Sequence, residues 1–274
     1  LVGVDGSAAS LHAFRESCKL SGSWVTVVAV APFYKGDLRL VGVANPQALL
    51  TEPCNTALEE AQELADEAGA VINKVCAVGA PHERIVELAA KGSRDLIVMG
   101  AKGQSFVERA LLGSVTRRVI GYSPVDVLVV PLKAQVGWSK ILLATDGSQP
   151  GKRAEARALD LAQDYGSELT VLTVREGLGQ KNGETGLAAV AGMDPLQEHA
   201  EEIAQEAKSR NISARGLVLM GTPYKSITAL AAQEQIDLIV MGSHGHTGLK
   251  RLLMGSVAEK VIGHAPCPVL VVPR

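Results

Sequence analysis

Short runs of aliphatic residues alternate along the chain with longer segments in which apolar residues recur at helical spacing. In the first half we predict strands at 1–5, 24–30, 71–78, 95–99 and 126–131, and helices at 8–20, 54–69, 81–91 and 114–122. In the second half we predict strands at 140–145, 168–174, 212–220, 237–241 and 268–273, and helices at 150–166, 194–210, 223–234 and 256–264. Alternation of this kind is typical of βαβ units around a parallel sheet.

The second half of the chain repeats the first at an offset of 141 and then 142 residues. The segment Asp95-Leu-Ile-Val-Met-Gly100 recurs unchanged as Asp237-Leu-Ile-Val-Met-Gly242. A repeat of this length indicates a duplicated domain, not a short solenoid unit. We therefore predict two tandem α/β domains, at 1–133 and 139–274, each with a doubly wound, five-stranded parallel sheet.

Composition agrees with this fold and narrows the classes of partner. Hydrophobic residues make up 47% of the chain and aromatic residues only 3%, so the cores must be aliphatic, as in parallel sheets covered on both faces. The net charge of −2, with basic residues spread out, argues against a nucleic-acid partner. No apolar run approaches 18 residues, which argues against a membrane-spanning segment.

The chain has four cysteines without CxxC spacing, which makes a disulfide framework or a structural zinc site improbable. We therefore expect the protein to reside in a reducing compartment, the cytoplasm.

A glycine-rich segment follows the fourth predicted strand of each half. It reads Gly100-Ala-Lys-Gly103, nine residues and then Gly113-Ser114, and it recurs as Gly242-Ser-His-Gly245, nine residues and then Gly255-Ser256. Glycines let backbone N–H groups approach phosphate oxygens, and the helix that follows points its N–H groups and positive dipole end at the same anion. Two copies with matched spacing favour a phosphate site over a flexible loop before a capped helix.

Other residues end strands at the same edge of the predicted sheets. Asp5 and Asp146 follow the first strand of each half, where they could cap the next helix or accept a hydrogen bond from a ligand. Val30 and Val174 end the second strands, where the side chain would join the core while the backbone could hydrogen-bond an adenine edge.

Two competing signatures are weak. Gly151-Lys152-Arg153 resembles the end of a Walker A loop, but Arg stands where that motif requires Ser or Thr. His244 and His246 could ligate a metal ion, but Lys102 and Gln104 replace them in the first half. We therefore predict no catalytic residue and no metal ligand from this chain.

Together, the duplicated pattern G-x2-G-x9-G-[ST] and the Asp after each first strand resemble the universal stress protein family over essentially the whole chain. The resemblance implies five-stranded sheets of order 3-2-1-4-5 and binding of ATP, with Mg²⁺, in each half. It implies that adenine contacts Asp5 and Val30 in the first half and Asp146 and Val174 in the second. The residues implied to hold ribose and phosphates are Gly100, Gly103, Gly113, Ser114 and Val115, and Gly242, Gly245, Gly255, Ser256 and Val257.

The family also pairs domains through their fifth strands. The segments 124–131 (PVDVLVVP) and 266–273 (PCPVLVVP) could pair in this way within one chain, as an intramolecular pseudo-dimer, and a homodimer is a further possibility. The resemblance implies an ATP-binding stress or signalling protein with little or no turnover, its protein partner left open. The alternatives are a slow ATPase or other ATP-using enzyme, and a nucleotide-free interaction scaffold.

Overall fold

The structure, a computed structural model, describes residues 1–20, 25–33, 46–92, 94–102, 112–176, 195–245 and 254–273. The strands in these ranges are β1 (Val2–Gly3), β2 (Val25–Ala31), β3 (Ile72–Val78), β4 (Leu96–Gly100), β5 (Asp126–Val130), β6 (Lys140–Ala144), β7 (Glu168–Arg175), β8 (Ala214–Met220), β9 (Leu238–Gly242) and β10 (Val269–Val272). The helices are α1 (Ala8–Ser17), α2 (Pro46–Ala68), α3 (Pro81–Lys91), α4 (Ser114–Tyr122), α5 (Lys152–Tyr165), α6 (Pro195–Ser209), α7 (Pro223–Gln233) and α8 (Ser256–His264). A short 3₁₀ helix (Gln149–Gly151) leads into α5.

The described strands form one sheet, in the order β3-β2-β1-β4-β5-β10-β9-β6-β7-β8. Within each half the strands run parallel in the order 3-2-1-4-5 that was predicted. The two predicted five-stranded sheets are joined edge to edge, because β5 and β10 pair antiparallel with Leu128 opposite Leu270. The family resemblance had suggested that the two repeated segments could pair, and their pairing makes a single continuous sheet.

Helices cover both faces of this sheet, because successive strand residues point to opposite sides. On one face, Leu143 and Val171 pack with residues of α1, α2, α5 and α6. On the other face, Leu142 and Leu172 pack with residues of α3, α4, α7 and α8. The doubly wound arrangement is therefore as predicted. None of the helices in the described ranges combines the length and apolar character that a bilayer crossing requires.

Helix α2 differs most from its predicted bounds. The predicted helix spans 54–69, whereas proline is favoured in the first turn of a helix and disrupts the interior. In the structure α2 begins at Pro46 and contains Pro53. Residues Gln47 to Pro53 are partly or fully exposed, so water can reach the carbonyl group that the missing proline N–H leaves unpaired. The exposed position of Pro53 therefore allows the helix to begin eight residues before its predicted start.

Side chains connect the two halves on both sides of the central strand pair. On one face, Arg157 of α5 donates to Asp126 at the start of β5, with Nε 2.7 Å from Oδ2. On the other face, Arg117 of α4 meets Glu259 of α8 at 3.3 Å. The connecting segment is anchored as well, because the Val136 N–H donates to the buried carboxylate of Glu16 at 2.9 Å.

Candidate functional site

A cavity of about 270 Å³ opens at the carboxyl ends of the second-half strands. The ends of β6, β7 and β9 and the start of α8 form its walls. All seven residues predicted for the second site line this one cavity: Asp146, Val174, Gly242, Gly245, Gly255, Ser256 and Val257. Its volume is close to the lower end of the roughly 300–1,000 Å³ typical of small-molecule pockets. The structure therefore brings together residues that are up to 111 positions apart in the chain.

One end of the cavity is the start of helix α8. Gly255 precedes the helix with extended backbone angles, φ −67° and ψ 145°, and offers no side chain to cap it. Its own N–H donates to the Ser243 carbonyl at 2.8 Å, which seats the loop after β9 against the helix start. The first N–H groups of an α-helix have no partner within the helix, and the dipole makes this end electropositive. This end of the cavity can therefore receive an anion.

The structure revises why Gly255 lacks a side chain. A Cβ atom there would lie 3.3 Å from the Ser243 carbonyl oxygen and 3.5 Å from the Cα atom of His244. Those neighbours belong to the loop that forms the cavity wall. The sequence suggested that a Cβ would crowd a bound phosphate, but the first atoms it meets are those of the protein backbone.

Asp146 connects the two loops that flank the cavity. Its Oδ1 accepts a 3.0 Å hydrogen bond from the Ser148 N–H, and Ser148 in turn caps the 3₁₀ helix by accepting from the Gly151 N–H at 3.3 Å. The cap is therefore Ser148, not Asp146. The other carboxylate oxygen of Asp146 lies so close to Gly245 that a Cβ atom there would overlap it. Glycine at 245 thus allows the loop after β9 to approach the carboxylate.

Another part of the cavity lining is apolar. Leu172 and Val174 of β7, Ile227 of α7 and Met241 of β9 line it, and the Val174 side chain is half-buried against the core. A flat, apolar ring system would find van der Waals contacts here, with the Asp146 carboxylate beside it as a hydrogen-bond acceptor. The lining of the cavity therefore offers one part that suits an anion and another that suits an aromatic ring.

Sequence reasoning missed a buried polar network beneath this site. The Thr145 hydroxyl donates to Oε1 of Glu155 at 2.6 Å, and Nε2 of His199 lies 2.9 Å from the same oxygen. The Gly147 N–H donates to the Thr145 hydroxyl at 3.2 Å, so the network reaches the turn that carries Asp146. The three side chains come from the residue after β6, from α5 and from α6, and no local motif links them.

A signal for this network did exist in the comparison of the repeats. At the repeat offset, Thr145, Glu155 and His199 correspond to Val4, Phe14 and Ala57. Those three residues are buried in the first half, where Phe14 is fully enclosed. Polar residues that replace buried apolar residues in an otherwise similar repeat indicate a role specific to the second half.

The first half reproduces part of this geometry. Gly113 precedes α4 with φ −63° and ψ 143°, its N–H donates to the Ala101 carbonyl at 2.8 Å, and Ser114 and Val115 begin the helix. Asp5 accepts from the N–H and hydroxyl of Ser7, at 3.1 and 2.6 Å. Gly103 lies outside the described residues. The helix start thus matches that of the second half, whereas the loop between Lys102 and Leu112 cannot be compared.

The remaining two predicted residues of the first half lie at strand ends. Val30 is half-buried and pairs with Ala77 in the β2–β3 ladder. Gly100 ends β4, and a Cβ atom there would lie 2.8 Å from the carbonyl carbon and oxygen of Ala9 in α1. Glycine at 100 is thus explained by the close packing of α1 on β4, apart from any ligand.

Among the described residues, no group of three or more His, Cys, Asp or Glu side chains is arranged to hold a metal ion. His244 lines the cavity and is buried, with Nδ1 3.0 Å from the Ser243 hydroxyl. His246, the other member of the pair considered as metal ligands, lies outside the described residues.

The sheet and the cavity define a duplicated, doubly wound α/β protein with a ligand-sized cleft at its carboxyl edge. The chain belongs to the universal stress protein family, whose family model matches residues 1–131 and 137–273.

Individual relatives agree with this assignment. A universal stress protein of Mycolicibacterium smegmatis is 28% identical over 99% of this chain and 96% of its own length. One from Thermus aquaticus is 39% identical over 48% of this chain and 96% of its own length, as a single-domain relative of one half would be. The crystal structure of an Archaeoglobus fulgidus universal stress protein covers 100% of this chain and 95% of its own, with a TM-score of 0.73 and 23% identity. This last likeness establishes the fold alone.

Proposed function

We propose that this universal stress protein binds ATP in each half and acts in stress response or signalling with little or no turnover. The observation that carries the proposal is the second-half cavity, in which all seven residues predicted from the sequence converge. We assign a second ATP site to the first half because the start of α4 matches the start of α8. Gly113 repeats the backbone angles and the hydrogen bond of Gly255.

In the proposed complex, adenine occupies the apolar part of the second-half cavity beside Val174, and Asp146 accepts a hydrogen bond from its exocyclic amine. The phosphates lie at the start of α8, where the N–H groups of Ser256 and Val257 and the exposed Ser256 hydroxyl donate to them. Gly242 and Gly245 provide further backbone of the cavity lining. In the first half, Asp5, Val30, Gly100, Gly103, Gly113, Ser114 and Val115 are assigned the corresponding roles.

Mg²⁺ is proposed to enter with the nucleotide. This ion usually keeps several waters and is bound through phosphates and one or two carboxylates, so a dedicated protein cage is not needed.

The localisation, the domain bounds and the association of the two halves are part of the same proposal. We assign the chain to the cytoplasm and divide it into domains at 1–133 and 139–274. The antiparallel β5–β10 junction supports an intramolecular pseudo-dimer, which would place the two nucleotide sites in one rigid sheet. Occupancy by ATP would then act by favouring one conformation or partner surface over another, which is a linkage effect and needs no catalysis.

The deciding experiment measures nucleotide binding to the full chain. Protein stripped of nucleotide is titrated with ATP and MgCl₂ by calorimetry, and its mass is followed by native mass spectrometry. We expect two ATP molecules per chain and, at about 100 times Kd, roughly 2.7 kcal/mol of stabilisation per site. A chain that shows neither heat nor added mass at millimolar ATP would be the nucleotide-free scaffold instead. Sustained phosphate release at many turnovers per hour would identify an ATPase.

A further inference from the structure

Two cysteines that are far apart in sequence meet in the first half. Cys54 lies in α2 and Cys76 in β3, and the Cys76 thiol donates to the Cys54 sulfur with 2.9 Å between the two Sγ atoms. No sequence pattern pairs these cysteines, because 22 positions separate them and CxxC spacing is absent. The packing of α2 on the sheet brings them together.

The two sulfur atoms differ in their access to solvent. Cys54 is 5% exposed and is enclosed between α2 and the sheet. Cys76 is exposed and lies on β3, the strand at one edge of the ten-stranded sheet. A small oxidant in solution can therefore reach Cys76 directly, whereas Cys54 is reached through Cys76.

We propose that Cys54 and Cys76 form a site of reversible oxidation, at which a hydroperoxide converts the two thiols into a disulfide. In the first step, the Cys76 sulfur attacks the peroxide, gains one oxygen as a sulfenic acid and releases one water from hydrogen peroxide. In the second step, the Cys54 sulfur attacks the Cys76 sulfur, the S–O bond breaks, and the hydroxyl group leaves as a second water with the Cys54 proton. The two thiols lose two electrons and the peroxide gains them.

The environment of Cys54 supports this order of steps. Burial, together with the hydrogen bond from Cys76, raises the pKa of the Cys54 thiol to about 12. Because the thiolate is the reactive form, the buried Cys54 reacts with free peroxide more slowly than the exposed Cys76. Cys54 acts in the second step because its sulfur already lies 2.9 Å from the Cys76 sulfur, and its proton leaves with the sulfenic hydroxyl as water. A disulfide bond is about 2.05 Å long, so the sulfurs need to approach by only about 0.9 Å.

The pair belongs to the first half alone. At the repeat offset of 142 residues, Leu196 and Val218 stand where Cys54 and Cys76 stand. Cys76 lies beside Ala29 in the β2–β3 ladder, one register position before Val30. A disulfide would therefore fasten α2 to the edge of the sheet next to the strand end assigned to the first nucleotide site. The oxidation itself does not depend on nucleotide binding.

The experiment treats the reduced full chain with a small excess of hydrogen peroxide. We expect the free-thiol count to fall from four to two, a Cys54–Cys76 linked peptide to appear in non-reducing digests, and dithiothreitol to restore four thiols. In Cys54→Ser, Cys76 should accumulate sulfenic acid that dimedone traps. Cys18→Ser is the matched control, and it should still lose two thiols.

Several results would overturn the proposal. One is a thiol count that stays at four in folded wild-type protein. Another is Cys76 oxidised to sulfinic or sulfonic acid while Cys54 remains a free thiol. A third is a Cys76–Cys76 bridge between two chains in place of the internal bond. Because the peptide map is made on the wild-type chain, the test holds even where a serine variant folds poorly.

Discussion

The Thr145 hydroxyl donates a 2.6 Å hydrogen bond to Oε1 of Glu155 in a buried position one residue before Asp146. The same hydroxyl accepts a hydrogen bond from the Gly147 N–H. The Thr145 side chain therefore links the turn formed by residues 145–147 to Glu155. This relationship couples the position of the Asp146 carboxylate to the interior of the second half.

Thr145→Val is expected to weaken ATP binding at the second site and to lower the free energy of unfolding by about 1–3 kcal/mol, because Glu155 and Gly147 each lose a partner. Valine fits the backbone here, since Val4 occupies the matching position in the first half. Denaturant unfolding and ATP calorimetry measure the two effects. Thr145→Ser, which keeps the hydroxyl, is the control. If Thr145→Val bound two ATP molecules with unchanged affinity, the network would have no part in positioning Asp146.

Gly245→Ala is expected to reduce ATP affinity at the second site by about tenfold or more, because its Cβ atom would displace the Asp146 carboxylate. Stability should fall by no more than about 1.5 kcal/mol, the contribution of one hydrogen bond, because the displaced carboxylate also accepts the Ser148 N–H. Calorimetry should then resolve one tight and one weak site. The double variant Gly245→Ala, Asp146→Ala tests the assigned role of Asp146: still weaker binding supports it, and recovered tight binding contradicts it.

Gly113→Val and Gly255→Val are each expected to lower the ATP stoichiometry from two toward one, and the double variant toward zero. At 255 the added side chain meets the Ser243 carbonyl and pushes the loop away from the start of α8. Native mass spectrometry counts the bound nucleotides. Gly263→Ala, in the same helix but near its other end, is the control and should retain two. Full stoichiometry in the double variant contradicts the site assignment.

Gly100→Ala should act on folding more than on binding. A Cβ atom at 100 meets the backbone of Ala9, which can move only if α1 shifts. Overpacking of this kind costs about 1–3 kcal/mol, measurable by denaturant unfolding. ATP affinity at the second site should be unchanged, and this serves as the internal control. A variant as stable as the wild type that loses one ATP would instead place Gly100 against the ligand.

Arg157→Gln is expected to destabilise the chain more at pH 7 than at pH 4. Burial raises the pKa of Asp126 above its ordinary value, and Arg157, the largest opposing influence, holds it down. A carboxyl whose folded-state pKa is raised stabilises the fold below its unfolded pKa and loses that contribution as pH rises through the folded pKa. Without Arg157 the pKa of Asp126 in the folded chain rises further, so ionising this buried carboxyl near neutral pH costs more stability.

Urea unfolding across this pH range measures the effect. Asp126→Asn in the Arg157→Gln background should abolish the added pH dependence, because no carboxyl is left to titrate. A loss of stability of equal size at both pH values would show that Arg157 acts through packing and not through the charge of Asp126.

The sequence predicts the strands, their parallel arrangement and the carboxyl-edge position of the site because these follow from local patterns that occur twice. The strand order, in contrast, was implied only by the family resemblance. Aliphatic runs identify the strands, and glycines at matched spacing identify the loop before α8. The polar network and the cysteine pair escaped prediction because their members lie on separate elements, with Glu155 and His199 44 residues apart. Likewise, the packing role of Gly100 depends on how closely α1 approaches β4, which no local pattern encodes.

The antiparallel junction of β5 and β10 joins two domains of one chain, so their association does not depend on protein concentration. Two separate domains that meet edge to edge fall apart as their concentration drops, whereas covalently connected halves remain together at any concentration. In a homodimer of identical single domains, any substitution appears in both domains at once and must be tolerated in both. A duplicated chain is free of that constraint, so one half can acquire Thr145, Glu155 and His199 while the other keeps Val4, Phe14 and Ala57. The joined sheet thus allows two related clefts to evolve different affinities within one molecule.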